Sequence, residues 1–164
     1  MPHSERAATV STAGLAIPAI GLGTWQLRGE ECSRIVEQAV RLGYTHIDTA
    51  QGYANEAAVG EGLAASGVAR GDVFVTTKVQ PQRMADGDLQ KSVEASLANL
   101  RLEQIDLLLL HWPNPEIPLA ETIRALNEVK RNGMVRHIGL SNFTSARLDE
   151  AWRLTSEPFA AEQV

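Results

Sequence analysis

Residues 46–56 read His46-Ile47-Asp48-Thr49-Ala50-Gln51-Gly52-Tyr53-Ala54-Asn55-Glu56, and the stretch changes character halfway along. It starts as the end of a strand-like run from Tyr44, then delivers a carboxylate, Asp48, and a phenol, Tyr53, into the turn that follows. Tyr53 sits beyond Gly52, in the loop that opens the next helical pattern. Parallel α/β proteins keep their chemistry at strand C-terminal ends, because the loops there can vary without disturbing the core.

The same unit repeats on both sides of this stretch. Strand-like cores are expected at Ile20 to Thr24, Tyr44 to Asp48, Val73 to Thr77, Ile105 to Leu110, Val135 to Leu140 and Phe159 to Val164. Helical patterns separate them, at Glu30 to Leu42, Asn55 to Ser66, Asp88 to Leu100, Pro118 to Arg131 and Thr144 to Leu154. In the third, Leu89, Val93, Leu97 and Leu100 form one apolar face, Asp88 suits a cap, and Pro118 suits the first position of the fourth. Strands begin roughly thirty residues apart, the length of a βαβ unit with its crossover helix. Runs such as IDLLLL at 105–110 are apolar throughout, as strands covered on both faces must be. Ahead of these units, Val10 to Ile20 reads as a short hairpin turning at Ala13-Gly14.

Two architectures are built from such units, the doubly wound sheet and the β/α barrel. A dinucleotide-binding doubly wound sheet calls for G-x-G-x-x-G after its first strand; Gly21-Leu22-Gly23-Thr24-Trp25-Gln26 puts Gln26 where the third glycine belongs. Polar residues also close every strand instead of gathering at one crevice. The expected fold is therefore an α/β protein of the β/α (TIM) barrel type.

Composition bounds the rest. The chain has 164 residues, 44% of them hydrophobic and 21% charged, which suits one globular domain over 1–164. A formal charge of −5 with no basic run argues against nucleic acid or an anionic membrane as partner. The N-terminus lacks an apolar core of signal-peptide length, and one cysteine, Cys32, permits no internal disulfide, so a cytoplasmic location is expected. No metal-ligand spacing or serine-nucleophile motif is present.

The strand ends collect one set of polar and aromatic residues: Thr24 and Trp25, Asp48 with Tyr53, Lys78, His111 with Trp112, Ser141 with Asn142, and Gln163. Lys78 closes the apolar run VFVTTK. A lysine there is costly to desolvate unless an anion meets it, and Asp48 on the neighbouring strand is the natural partner.

With GLGTW at 21–25, HIDTAQGYANE at 46–56, VFVTTK at 73–78, DLLLLHWP at 106–113 and VRHIGLSNF at 135–143, the chain resembles the aldo-keto reductase family, and within it the bacterial 2,5-diketogluconate reductase branch. The resemblance implies NADPH/NADP+ as cofactor, a small-molecule carbonyl substrate, and a catalytic tetrad of Asp48, Tyr53, Lys78 and His111. Hydride would come from the cofactor and a proton from Tyr53. A phenol has a reference pKa of about 10, and a neighbouring ammonium favours its ionised form, which is the role implied for Lys78, held in place by Asp48. His111, neutral, would orient the substrate carbonyl. The implied cofactor contacts are Gly23, Thr24, Asp48, Ser141, Asn142 and Gln163; Trp25 and Trp112, with Tyr53 and His111, would line the substrate pocket.

Taken singly, an Asp–Lys pair, a loop tyrosine and a strand-end histidine read as structural; their convergence on one mouth carries the catalytic reading. His3, His46 and His137 are expected to be structural or exposed, Cys32 an inert thiol, Trp152 part of the core, and Glu56 a helix-start acid or a support for the site. A complete barrel takes about 250 residues, so the sequence is expected to be the N-terminal portion of one, with five βα units and the start of a sixth strand. The family's contacts to the adenosine 2′-phosphate fall outside it. An open arc of strands leaves edges and an inner apolar face, through which such a chain would self-associate. The rival expectation is a catalytically inactive half-barrel, serving as an oligomerising or cofactor-sensing module.

Overall fold

The computed structural model describes residues 8–12 and 15–164. Strand β1 (Thr9–Thr12) pairs antiparallel with β2 (Leu15–Pro18), Val10 lying opposite Ile17. These are the arms of the expected hairpin; its turn at Ala13-Gly14 lies outside the described residues, as does His3. Leu15 and Ile17 pack with Phe74, Leu107, Leu109 and Ala160, so the hairpin covers apolar residues of the main sheet.

That sheet alternates strand and helix. Its elements are β3 (Leu22–Gly23), α1 (Gly29–Arg41), β4 (His46–Asp48), α2 (Glu56–Ser66), β5 (Phe74–Val79), α3 (Asp88–Leu100), β6 (Ile105–Leu110), α4 (Leu119–Arg131), β7 (Val135–Ser141), α5 (Ser145–Leu154) and β8 (Phe159–Gln163). The order is β3-β4-β5-β6-β7-β8, and every neighbouring pair is parallel. All six residues of β6 are buried, the pattern of a strand covered on both faces. Leu108 and Leu110 meet the helix layer, including Val36, Val93 and Leu126, while Leu107 and Leu109 meet the hairpin side.

One hydrogen bond shows the curvature. Gln163 Nε2 at the end of β8 donates to Asp48 Oδ2 at the end of β4 across 2.9 Å. These strands are four places apart in the sheet, and in a flat sheet they would stand roughly 19 Å from each other, given about 4.8 Å per strand. The arc is therefore rolled about an interior, as a barrel is and a doubly wound sheet is not.

Several element limits depart from the sequence reading. The strand expected at Ile20 to Thr24 shrinks to Leu22–Gly23, with Ile20 70% exposed and no part of the ladder. The strand expected from Tyr44 begins at His46, since the half-exposed Tyr44 only follows the stop of α1. Asp88 is not the cap of α3 but its first residue; Gly87, at φ +81°, is the cap, and Gln90 Oε1 accepts the Gly87 amide. Pro118 caps α4 with extended backbone instead of starting it, and its carbonyl accepts the Glu121 and Thr122 amides. Trp152 is half-exposed, not core: it lies edge-on to Phe159 at 5.2 Å between ring centroids.

Helices α1 and α2 touch through glycine. A Cβ built on Gly62 would lie 2.4 Å from the Ser33 carbonyl oxygen and 2.8 Å from Val36 Cβ. Both are backbone or near-backbone atoms that cannot swing aside. Gly62→Ala is expected to destabilise the fold by about 2 kcal/mol, as overpacking does, lowering the urea midpoint without changing the folded far-UV spectrum.

Candidate active site

The strand ends bring four of the expected residues together. Lys78, one residue from the end of β5, is 1% exposed. Its ammonium donates to Asp48 Oδ1 at 2.5 Å and to the Thr49 carbonyl at 3.0 Å. Two of its three N–H groups are engaged below, leaving one for the side where Tyr53 lies, its ring centroid 5.2 Å from Nζ. The ring of His111, just past β6, stands edge-on to Tyr53 with centroids 5.7 Å apart. Asp48, Lys78, Tyr53 and His111 thus form one cluster, with the ion pair at its base.

Burial and the Lys78 charge together hold the His111 imidazole below its usual pKa, so the ring is neutral near pH 7 and offers one donor and one acceptor. Both carboxylate oxygens of Asp48 are engaged: Oδ1 accepts from Lys78 and Oδ2 from Gln163.

Ser141 and Asn142 sit at the next corner. Asn142, in left-handed backbone at φ +61°, donates from Nδ2 to the His111 carbonyl and to Ser141 Oγ, both at 2.9 Å. Its own amide donates to the Gln163 carbonyl. Among the described residues, the Ser141 hydroxyl hydrogen, Asn142 Oδ1 and Gln163 Oε1 have no protein partner. One donor and two acceptors are the complement of a primary carboxamide, so these residues fit a nicotinamide side group.

The remaining expected residues stand at the margin. Gly23 pairs with Asp48 in the ladder, and a Cβ there would meet nothing within 4 Å, so space is open beside it. Thr24 is fully buried, and both its amide and its hydroxyl donate to the Asp48 carbonyl, so its side chain supports Asp48 from behind. Trp25 and Trp112 are 66% and 53% exposed on the rim.

Two further residues were not singled out from sequence. Asn55 is buried; Nδ2 donates to the Thr24 and Leu27 carbonyls, and Oδ1 accepts from Thr49 Oγ1, so it ties the Trp25 loop to the Tyr53 turn. Gln51 bonds to α3 and to the Gln80 amide. The available signal was two amides bracketing Tyr53 between apolar elements, since a buried amide requires partners. Glu56, expected as a support, is buried, accepts from Thr77 Oγ1 at 2.6 Å, and has its pKa raised by burial.

Two residues kept outside the site behave as expected. Cys32 is fully buried, with its thiol pKa raised by burial, and His46 Nε2 lies 3.0 Å from Thr76 Oγ1 with its ring edge-on to Phe74. Backbone strain gathers at the mouth: Gln26, Ala54 and Asn142 all hold positive φ in the loops after β3, β4 and β7.

The family pattern of the aldo/keto reductases matches residues 19–164. The chain belongs to the aldo/keto reductase family. Among curated proteins it is 45% identical over 139 residues to the methylglyoxal reductase DkgB of Escherichia coli O157:H7, covering 84% of this chain and 52% of that one. A crystal structure provisionally named 2,5-diketo-D-gluconic acid reductase B superposes with a TM-score of 0.93 at 50% identity, over 96% of this chain and 56% of that one. The Bombyx mori aldo-keto reductase, solved in complex with NADP, follows at a TM-score of 0.88 and 31% identity, over 96% and 57%. The chain spans about half the length of the curated relatives it matches. The arc of six strands is accordingly a partial aldo/keto reductase barrel.

Two stability measurements follow, one at this site and one beside it. Asp48→Ala leaves the Lys78 ammonium buried with only a carbonyl, and is expected to cost about 3–5 kcal/mol, read as a lowered denaturant midpoint. The second follows His46, whose pKa is lowered chiefly by burial. Below about pH 6.5 the unfolded chain takes up a proton that the folded ring resists. His46 therefore contributes stability above that pH that is lost as pH falls toward its folded value. Replacing it in His46→Asn should shrink the drop in urea midpoint between pH 7.5 and 5.5; an identical drop in both proteins would refute the assignment.

Proposed function

We propose that this chain carries the catalytic residues of an NADPH-dependent carbonyl reductase acting on a small aldehyde, ketone or keto-sugar acid, and that residues 1–164 form the N-terminal part of one barrel domain. The observation that carries the reading is the convergence of Tyr53 and His111 on the buried Lys78–Asp48 pair. The names of the related reductases, one for methylglyoxal and one for a diketogluconate, support a small polar carbonyl as substrate.

A reduced nicotinamide, when bound, supplies the hydride. Ser141, Asn142 and Gln163 would hold its carboxamide through the unpaired donor and acceptors described above. Everything else falls to the protein. Tyr53 gives the proton at Oη to the carbonyl oxygen, and Lys78, with Nζ 5.2 Å from that ring's centroid, stabilises the negative charge that the departing proton leaves. Asp48 holds the ammonium in place. The neutral His111 ring donates a hydrogen bond that aims the carbonyl. Trp25 and Trp112 supply the apolar rim that excludes water.

The experiment is reduction of methylglyoxal with NADPH by the wild type and by Tyr53→Phe, alongside an NADPH titration read from tryptophan quenching. Loss of the proton donor is expected to cut turnover about 100-fold or more and to leave NADPH affinity within about twofold. Turnover at the wild-type rate by Tyr53→Phe would overturn the reading. Quenching without turnover by the wild type is the result that a cofactor-sensing role requires instead.

A further inference from the structure

Tyr53 lies on a single 3-10 turn, Gln51–Tyr53, followed by Ala54 in left-handed backbone at φ +54°. A turn this short holds no shape of its own: its internal bonds are Tyr53 N to the Ala50 carbonyl and Ala54 N to the Gln51 carbonyl. What fixes it is a side chain two residues before the phenol. Gln51 Nε2 lies 3.1 Å from the Ser92 carbonyl, 3.1 Å from Ser92 Oγ and 3.0 Å from Ser96 Oγ, all on α3. Its Oε1 accepts the amide of Gln80, two residues past Lys78, at 3.1 Å. One amide thus ties the turn bearing Tyr53 both to the helix behind it and to the strand end that carries the ammonium.

We propose that Gln51 is a positioning residue, whose clamp to Ser92, Ser96 and the Gln80 amide sets the placement of the Tyr53 ring against Lys78 and His111. The proposal rests on the carbonyl-reductase reading. The geometry requires such a device, because the cluster draws its groups from three different strand ends, and the ion pair locks only Lys78 and Asp48. Gly52, between Gln51 and Tyr53, adds no restraint: a Cβ there would sit 3.6 Å from Gln80 Nε2 and 3.8 Å from His111 Nδ1, ordinary contact distances. Without the clamp, the turn could pivot about Gly52 and carry the phenol away from the ammonium. Displacement of a reacting group by about 1 Å can cost a factor of 100 in rate, with no loss of binding.

The test uses the full chain with Gln51→Ala and Gln51→Met. The second keeps the length of the side chain and removes its hydrogen bonds, which separates the clamp from mere packing. Both are expected to lower kcat for methylglyoxal about 10- to 100-fold, with KM and NADPH affinity within about twofold. The second readout needs no turnover. The protein has two tyrosines, Tyr44 and Tyr53, so ring-labelled 13C-tyrosine gives a spectrum in which Tyr53→Phe assigns the peak. In Gln51→Met the Tyr53 resonance should move or broaden while that of Tyr44 stays fixed. A Tyr53 resonance that does not change overturns the proposal, whatever the rate does. So does a changed resonance with undiminished kcat when Tyr53→Phe is inactive. If Tyr53→Phe itself turns over normally, the reductase reading has failed first.

Discussion

A lysine with 1% of its surface exposed and a single carboxylate against it is the constraint on which this mouth depends. Lys78 is buried because β5 is covered on both faces, and among the described residues its ammonium donates to Asp48 Oδ1 and the Thr49 carbonyl. Burying an ion pair is rarely a net source of stability. Its effect is to make every misplacement of β4 against β5 expensive, since a slip would strand an ammonium in a dry interior. The ladder register that pairs Asp48 with Thr76 is therefore fixed by charge as well as by the hydrophobic pattern.

Around that pair the loops are held by amides. Asn55 ties the turn after β4 to the loop after β3, Gln51 ties it to α3 and to the end of β5, and Asn142 ties the end of β7 to His111 and β8. The loops can then keep left-handed residues at Ala54 and Asn142, conformations that non-glycine residues hold only when their surroundings insist. These cross-ties restrain the loops of the mouth against one another.

How much of this the sequence disclosed depended on the kind of signal. β6 could be bounded to the residue, and α3 to within one, because IDLLLL is a closed apolar block and Leu89, Val93 and Leu100 fall on one helical face. β3 could not, since Ile20 is apolar yet exposed and the ladder itself sets where pairing ends. Lys78 and Asp48 were legible as a pair from the cost of an unpaired charge at a buried strand end. Gln51 and Asn55 were not, because an amide in a loop looks alike in sequence whether it faces water or bridges two elements. Trp152 misled for a related reason: its place in a helical pattern does not reveal that the ring, packed against Phe159, stays half-exposed.

The contact between Gln163 and Asp48 also bears on how the protein acquires its shape. Lys78 and Asp48 are 30 residues apart, a separation set by one βαβ unit, whereas Gln163 and Asp48 are 115 apart. Loop-closure entropy makes the longer contact costlier by about 1 kcal/mol, and it forms only once the intervening strands have rolled. The ion pair can therefore assemble early, from neighbouring units, while the polar ring around the mouth is completed last. A chain collapsing in this order carries its charged centre already paired before the sheet curls over it, and is spared from dragging a bare ammonium through an apolar intermediate.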